Sequence, residues 1–356
     1  MPDLLRVIDF GTVTPLRSQT LWHAVSYGVS DGAPPTLSFA RPSAPYVCVG
    51  YHRDLAEVDQ EYCRANRLPV YRRMVGGGPV YLDDGQLFFQ VCLPAGTVPA
   101  ARLAALRTLL GPAVAAFRAA GVDARLDEDL EICAGDRKIC GHGAGQIEDA
   151  VVVCGNLIER FDHERATRVL AIADPLQRAE TLRLMRRFVA ATPVDPAAFR
   201  TALVSAYAGA LGLAPAPGGL TGTERAAVAE LDDRFTSGPW LAGPALPAAA
   251  PPGPATQASP ATQARQVTQA RQVKVRAGVW TFAAGDGAAA RVVAGVVRGA
   301  VDRAHLAAPG LNGSTGAAQR ALAGVPLARV PDVLDQFGEP GRQLAAAFAA
   351  ADGTRI

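Results

Sequence analysis

Residues 72–85 read RRMVGGGPVYLDDG and carry the strongest structural signal in the chain. Two adjacent arginines end a strand-like run, three glycines follow, and the chain resumes with Val80 and Tyr81. Glycine tolerates positive φ and lets backbone N–H groups approach an anion, while Arg72 and Arg73 carry charge-assisted donors for phosphate or carboxylate. The segment predicts a nucleotide or acyl phosphate as its ligand. Taken alone, it is equally typical of a glycine bulge before an edge strand.

A second glycine-punctuated segment, GDRKICGHGAGQIEDAVVVCGNLIERFD, follows at residues 135–162. Lys138 leaves an apolar strand directly before Gly141, Gly143 and Gly145, and the chain then enters another buried strand-like run. A lysine at a strand end is usually solvated. Beside a second glycine loop, its point charge is also what stabilises the α-phosphorus of an adenylation transition state.

Short strand-like runs dominate the first 160 residues, where β-branched and aromatic residues are bounded by turn residues. These runs read LLRVIDFG, PTLSFARP, YVCVGY, PVYRRM, LFFQVCL, ARLDEDLEICAG and DAVVVCGNLIERF. Apolar residues at helical spacing predict helices between Thr97 and Gly121, over 175–188 and over 195–213. Many strands with a few helices predict an α+β domain, since a doubly wound parallel sheet requires regular alternation.

Composition excludes several classes of function. The 35 Lys+Arg against 33 Asp+Glu leave a formal net charge of +2, so no basic field recruits nucleic acid. No stretch approaches the ~20 uncharged apolar residues of a membrane span, and the charged N-terminal run does not resemble a signal peptide. Six cysteines in a long chain fit free thiols in a reducing compartment. We expect a cytoplasmic protein that binds neither nucleic acid nor membrane.

Prolines mark the expected domain boundary. A Pro/Ala/Gly-rich stretch precedes an exact tandem repeat of TQARQV at 262–267 and 268–273, which has no apolar face wide enough to pack. The predicted organisation is a catalytic domain over 1–242, a linker over 243–272 and a small α+β accessory domain over 273–356.

The accessory domain carries its own pattern of elements. Residues 273–282 and 290–301 indicate a strand pair, and residues 331–352 indicate a helical end.

RRMVGGGPVYLDDG resembles the RRxxGGGxVyhDxG signature of the lipoate-protein ligase and octanoyltransferase superfamily, which shares its fold with the biotin ligases. DRKICGHGAGQ resembles that family's lysine-containing GKKISG segment, and residues 41–58, with Gly50 and His52, resemble the strand before the first motif. The resemblance runs from about residue 20 to 240. It identifies the chain as a member of the lipoate-protein ligase A family and implies a mixed-sheet catalytic domain.

The resemblance implies an enzyme in which ATP, carried as its Mg²⁺ complex, activates lipoate or octanoate to an acyl-adenylate. The acyl group then passes to one lysine of a lipoyl-acceptor domain, as in a 2-oxoacid dehydrogenase E2 or a glycine cleavage H-like protein. Lys138 would be the catalytic residue that contacts both the acyl carboxylate and the α-phosphate. The implied substrate- and ATP-binding residues are Arg73, Gly76, Gly77, Gly78, Pro79, Val80, Tyr81 and Lys138. The acceptor lysine must enter neutral, and the sequence shows no obvious base for it.

The chain departs from the family pattern at four positions. Met74 and Cys140 stand where the family has serine, Leu82 stands where it has histidine, and Cys154 falls near another histidine position. The further candidate site residues are these four together with Arg72 and Gly141.

Two alternatives to the ligase remain open. Octanoyltransferases of the superfamily use a cysteine thiolate as acyl acceptor and need no ATP, so Cys140 or Cys154 beside Lys138 is a candidate nucleophile. Free cysteines are more often buried strand residues. The other alternative is a lipoyl-binding module without turnover.

Basic clusters at 178–187 and 265–276 are candidate docking faces for an acidic acyl-carrier domain, although solvated surfaces give the same pattern. No cysteine and histidine spacing fits zinc, because Cys133 and Cys140 lack a matching second pair. We expect no structural metal.

Overall fold

The computed structural model describes residues 4–244, 271–285, 290–311 and 313–352. It divides into two compact units, Met1–Ala171 with Val189–Leu246 and Ile172–Phe188 with Pro247–Ile356. Within the described ranges, no helix is both long and apolar enough to span a bilayer.

The strands of the first unit are β1 (Leu4–Val13), β2 (Thr36–Pro42), β3 (Tyr46–Val49), β4 (Val70–Arg72), β5 (Val80–Leu82), β6 (Gln86–Pro94), β7 (Ala124–Leu126), β8 (Ile132–Ala134), β9 (Arg137–Cys140), β10 (His142–Ile147), β11 (Ala150–Ile158) and β12 (Ala214–Pro217). The helices in the described residues are α1 (Arg17–Ser30), α2 (Gln60–Ala65), α3 (Arg102–Ala119), α4 (His163–Arg168), α5 (Pro175–Phe188), α6 (Pro196–Leu211), α7 (Gly222–Thr236), α8 (Gly238–Ala242), α9 (Thr315–Leu322), α10 (Val330–Asp335) and α11 (Gly338–Asp352).

The main sheet of the first unit has six strands in the order β10-β11-β6-β2-β1-β12. Strand β1 runs parallel to β2 and β12, whereas β6 is antiparallel to both β2 and β11. The central strand β6 reads QLFFQVCLP and is buried along almost its whole length. A central strand covered on both faces favours such a near-continuous apolar run.

Helices cover both faces of this sheet. On one face Phe89 of β6 contacts Phe199 of α6, which packs on Phe117 of α3. Because side chains alternate along a strand, Cys92 of β6 points to the other face, where it packs with Trp22 of α1. These two apolar layers cover both faces of the sheet. The candidate site lies at its β10 edge.

Two three-stranded sheets carry the glycine-rich motifs of the sequence. In the sheet β4-β3-β5, β4 ends at Arg72 and β5 begins at Val80, so the glycines form the connection between them. In the sheet β7-β8-β9, Lys138 lies on β9 and pairs with Cys133 of β8.

The second unit contains an antiparallel sheet of β13 (Arg271–Arg276), β14 (Val279–Ala284), β15 (Arg291–Val297) and β16 (Ala300–Ala307). The sequence predicted a strand pair here, and the structure has four strands because tight turns divide each run. Gly278 and Gly299 make these turns with φ of 69° and 77°, a conformation that glycine adopts at no steric cost. Helices α9, α10 and α11 complete its core with α5.

Helix α5 belongs to the second unit, although in the sequence it lies between the two segments of the first unit. Leu184 and Phe188 pack with Val279, and the hydroxyl groups of Thr181 and Thr281 are 2.8 Å apart. The domain boundaries predicted from the sequence include this helix in the catalytic domain, because its apolar stripe does not specify which sheet it covers.

The mixed α+β fold expected from the sequence is confirmed. The three predicted helices correspond to α3, α5 and α6, with boundaries within a few residues. The predicted linker and the TQARQV repeat lie outside the described residues, apart from the positions that belong to the end of the first unit and the start of β13. The linker stays a prediction.

Candidate active site

Arg73 shapes the glycine loop that joins β4 to β5. Its guanidinium donates to the carbonyl oxygens of Gly76 (2.8 and 3.2 Å), Gly78 (3.0 Å) and Cys48 (3.0 Å). Gly77 adopts φ of 100°, and a Cβ there would lie 2.7 Å from Arg73 Nη2. The loop is therefore wound around the guanidinium, and this winding requires glycine at position 77.

The loop leaves open space where a ligand would approach. A Cβ added to Gly76 or Gly78 would meet no atom within 4 Å, and Gly77 is exposed. The arrangement fits the close backbone approach to an anion expected from the sequence, with the Arg73 charge behind the loop.

Arg72 is fully buried and points away from the loop. Its N–H groups donate to the carbonyl oxygens of two separate segments: Gly50, Tyr51 and Arg53 on one side, and Leu241 and Ala242 on the other. The Arg72 carbonyl oxygen in turn accepts from Trp240 Nε1 at 2.9 Å. Its guanidinium thus joins two stretches of backbone and does not present donors to a ligand, unlike the direct phosphate contact considered for it from the sequence.

A buried histidine fixes the start of the glycine loop. His23 Nδ1 donates to the Gln19 carbonyl oxygen (2.7 Å), and its Nε2 accepts from the Met74 N–H (3.1 Å). These two bonds require the neutral ring with the proton on Nδ1. Burial lowers the pKa of His23 to about 3, and the nearby Arg73 charge acts in the same direction. The sequence gives no role to His23, because nothing along the chain places it beside Met74.

The glycines of the second motif let β10 lie directly beneath the glycine loop. A Cβ on Gly145 would come within 3.1 Å of the Val75 side chain, and one on Gly143 would lie 3.5 Å from the Gly76 carbonyl oxygen. A Cβ on Gly50 would lie 2.0 Å from the Gly77 carbonyl oxygen. The structure therefore brings the two motifs together.

Lys138 forms an ion pair with a carboxylate that the sequence analysis missed. Its Nζ lies 2.5 Å from Glu131 Oε2, and both side chains are mostly buried, at 17% and 7% exposure. His142 Nδ1 lies 3.9 Å from the same oxygen. The ammonium, the carboxylate and the imidazole thus form one cluster at the β9–β10 end of the site.

The backbone before β8 is shaped so that Glu131 reaches Lys138. Asp127 Oδ1 accepts the N–H groups of Asp129 (3.0 Å) and Glu131 (2.8 Å), and Leu130 between them adopts φ of 61°. A left-handed conformation costs a non-glycine residue about 1–2 kcal/mol, so surrounding contacts hold it in place. Reading EICAGDRKIC as a hairpin centred on Gly135 is the signal that would have paired Glu131 with Lys138.

The residues after the glycines differ in their exposure. Val80 is 38% exposed and Pro79 is half-buried, whereas Tyr81 is buried. Burial raises the pKa of Tyr81 to about 12, opposed by a hydrogen bond to Arg165. Leu82, which replaces the family's histidine, packs on an apolar cluster that contains Phe88.

Met74 and Cys154, two further departures from the family pattern, flank one apolar cluster beside the loop. Both pack against the group that includes Trp22 and Val75. Gly141 donates its N–H to Asn156 Oδ1 at 2.6 Å, which anchors the start of β10.

The thiols do not show the environment of a reactive cysteine. Cys140 is fully buried, and burial raises its pKa to about 12 despite the Lys138 charge. Burial also raises the pKa of Cys154, whose side chain is only partly exposed. A nucleophilic thiolate requires the opposite shift.

The predicted basic face at 178–187 is largely used inside the second unit. Arg183 pairs with Glu180 and Asp302, and Arg187 Nη1 lies 2.6 Å from Asp302 Oδ1. Of the second predicted face, residues 265–270 lie outside the described residues. In the described parts of the chain, no group of three or more His, Cys, Asp or Glu side chains could hold a metal ion.

Residues 19–206 match the lipoyl protein ligase A/B catalytic domain, which covers more than half of the chain. The octanoyltransferase LipM of Moorella thermoacetica is 25% identical over 267 residues, 66% of this chain and 97% of that protein.

Two solved structures are similar to about two thirds of the chain. One belongs to an archaeal bi-partite lipoate protein ligase, studied with its E2 lipoyl domain, from Thermoplasma acidophilum; it is 26% identical, with a TM-score of 0.59 over 67% of this chain and 96% of that one. The other is a lipoate-protein ligase A bound with ATP, 25% identical, with a TM-score of 0.57 over 68% of this chain and 99% of that one.

Proposed function

The chain belongs to the lipoyl protein ligase A/B catalytic domain family and is an enzyme, and we propose that it is an ATP-dependent lipoate-protein ligase. It would activate lipoate or octanoate to the acyl-adenylate and transfer the acyl group to a lysine of a lipoyl-acceptor domain. The ATP-bound ligase supports the nucleotide, and the archaeal ligase studied with its E2 lipoyl domain supports the class of acceptor. A glycine cleavage H-like protein is a second acceptor of the same kind.

The observation that supports this proposal is the packing of the two glycine segments against each other, with Lys138 three residues before Gly141 on the strand that leads into the second segment. Of the 35 Lys+Arg residues only Lys138 and Lys274 are lysines, so the chain uses arginine almost everywhere else. An ammonium is a compact point charge that contacts two neighbouring oxygens at once, whereas a guanidinium is a planar fork. A lysine at 138 therefore suits a position between an acyl carboxylate and the α-phosphate.

The surrounding residues would each bind a different part of the substrates. Backbone groups of Gly76, Gly77 and Gly78, held open by Arg73, would receive the phosphate, and the following residues Pro79, Val80 and Tyr81 would contact the adenylate. The apolar cluster flanked by Met74 and Cys154 would receive the acyl chain. Mg²⁺ would enter with ATP and offset the triphosphate charge.

A Cys-dependent octanoyltransferase is the second candidate. The likeness to LipM, which spans 97% of that protein, favours it. The raised pKa values of Cys140 and Cys154 oppose it, because neither thiol is a thiolate near neutral pH in this structure. Six free cysteines fit a reducing compartment, and we infer a cytoplasmic location.

Intact-mass analysis of an apo lipoyl domain tests the proposal. Incubation with the protein, lipoate and ATP-Mg should add one lipoyl group, and omission of ATP should leave the acceptor unmodified. Modification from octanoyl-acyl-carrier protein without ATP would instead establish the transferase. Tight binding of lipoyl-AMP with no transfer would establish a binding module.

Lys138→Ala should lower the rate at least 10²–10³-fold, because it removes the charge opposite the developing phosphate charge. Lys274→Ala is the matched control, since Lys274 is an exposed lysine in β13 of the second unit. Both variants should keep the wild-type circular dichroism spectrum. Near-wild-type turnover by Lys138→Ala would refute the assigned role.

A further inference from the structure

Glu131 is the acidic residue that lies beside the proposed reacting position. Its carboxylate is 2.5 Å from Lys138 Nζ, and the residue is only 5% exposed. Under the proposed function Lys138 contacts the acyl carboxylate and the α-phosphate. The Glu131 carboxylate then lies one ammonium group away from the carbon at which the new amide bond forms.

The transfer step needs a base that the sequence does not reveal. A free lysine has a pKa near 10.4, so an acceptor lysine arrives as an ammonium ion at neutral pH and has no lone pair for attack. Proton removal requires a group within hydrogen-bond reach of that ammonium. A carboxylate suits this position because it also attracts the incoming positive charge.

We propose that Glu131 is the general base of the transfer half-reaction, an inference that rests on the proposed ligase function. Its position between Lys138 and His142 and the left-handed Leu130 that precedes it are specific features of this loop. Backbone strain held at one residue is typical of a functional site, where it fixes a side chain in an otherwise unfavoured place.

Asp127 and Asp83, two other acidic residues close in sequence to the site motifs, accept hydrogen bonds from backbone N–H groups. Asp127 Oδ1 accepts two N–H groups of its own loop. Asp83 accepts the Gly85 N–H at 3.0 Å and lies after β5. Glu131 alone among these three is directed at Lys138.

Two protons leave the acceptor nitrogen during the transfer step. The acceptor ammonium gives one proton to the Glu131 carboxylate, and the free amine attacks the acyl carbon of the adenylate. The C–N bond forms while the bond from that carbon to the AMP phosphate oxygen breaks. The second nitrogen proton leaves with the AMP phosphate, and Glu131 returns its own proton to solvent before the next turnover.

Among the contacts described for this part of the chain, four ionisable groups lie close to Glu131. Lys138 and the buried Cys140 belong to β9, His142 belongs to β10, and Asp127 lies in the same loop as Glu131. The Lys138 ammonium stabilises the carboxylate form that a base requires.

The test separates the two half-reactions. Adenylation is measured as lipoate-dependent exchange of pyrophosphate into ATP, and transfer is measured in a single turnover from preformed lipoyl-AMP to an apo lipoyl domain. Glu131→Gln should leave exchange within about threefold of wild type and lower transfer about 10²-fold at pH 7. The defect should shrink as the pH rises towards 9.5, because more of the acceptor lysine is then neutral without a base.

Two further variants complete the comparison. Glu131→Asp keeps a carboxylate and should recover part of the transfer rate. Glu128→Gln removes an exposed carboxylate from the same loop and should leave both half-reactions unchanged.

Equal losses in exchange and transfer for Glu131→Gln would overturn the proposal and make Glu131 a residue that only positions Lys138. A transfer defect that does not change with pH, or no defect, would also overturn it. Failure of the ligase function itself is recognised separately, because wild-type protein would then show no lipoate-dependent exchange, and the assignment of Glu131 would fall with it.

Discussion

Two arginine pairs in this chain have similar sequences and opposite environments. YRRMV at 71–75 and LMRRF at 184–188 both place two arginines beside a methionine at the end of a regular element. Arg72 and Arg73 donate to backbone carbonyl oxygens, and none of their bonds in the described residues goes to a carboxylate. Arg187 instead pairs with Asp302.

The two arginine pairs differ in how much of their positive charge is neutralised by their partners. A carbonyl oxygen satisfies the N–H groups of an arginine without cancelling its charge, whereas a carboxylate cancels it. The pair at 72–73 therefore keeps a positive potential beside the glycine loop, where an anionic substrate would bind. The pair at 186–187 belongs to a helix that Arg187 helps to attach to the sheet of its own unit.

Among the substitutions that test this comparison, Arg72→Met should give the largest loss of stability. The substitution leaves the carbonyl oxygens around Gly50 and Leu241 without their buried donor, which should lower the free energy of unfolding of the first unit by about 3 kcal/mol. Arg187→Met removes a half-exposed ion pair and should cost less than about 1 kcal/mol. Urea unfolding of both variants measures the difference, and equal losses would contradict this view of the two pairs.

Acid should destabilise the two units at different pH values. Because His23 is buried and neutral with a pKa of about 3, the unfolded chain binds a proton below pH 6.5 that the folded unit excludes. The first unit should lose about 1.4 kcal/mol per pH unit as the pH falls from 6.5 towards 3.

In the second unit burial opposes ionisation of Asp302, but hydrogen bonds from Arg183 and Arg187 hold its pKa below the usual range. Its contribution to stability is present above about pH 3.9 and is lost as the pH falls through the lowered pKa. Peptide-resolved hydrogen exchange, corrected for the intrinsic exchange rate at each pH, measures the stability of α1 in the first unit and of β14 in the second unit separately. His23→Gln should abolish the slope in the first unit, and an unchanged slope in that variant would exclude His23 as its source.

Gly77→Ala should cost less stability than Arg72→Met. Position 77 has φ of 100° and faces Arg73 Nη2, so alanine there should cost about 1–2 kcal/mol and, under the proposed function, raise the KM for ATP. Gly78→Ala is the matched control because its Cβ meets no atom within 4 Å and its φ is not positive. Thermal unfolding should separate the two variants, and identical melting temperatures would mean that Arg73 does not fix the loop.

Much of the site is readable from local pattern. Glycine triplets and a lysine before alternating glycines identify loops where the backbone must approach another group closely, and the structure has the β10 glycines beneath Val75 and Gly76. The helices α3, α5 and α6 follow from apolar spacing, since periodicity is a property of the chain itself.

The contact partners of the key side chains cannot be predicted from local sequence pattern. Glu131 meets Lys138 only because the β8–β9 hairpin folds back, and His23 meets Met74 across 51 positions of sequence. The helix α5 shows its apolar stripe in the sequence, yet nothing in that stripe specifies the sheet that it covers.

The sequence by itself determined the mixed α+β class, the glycine loops and the family, because these depend on residue type and spacing over short stretches. Only the tertiary structure decided that Arg72 anchors two backbone segments, that Arg73 winds the loop and that Glu131 faces Lys138. The physical reason is that hydrogen bonds and ion pairs depend on distances of about 3 Å between atoms, and folding brings together groups whose separation along the chain says nothing about those distances.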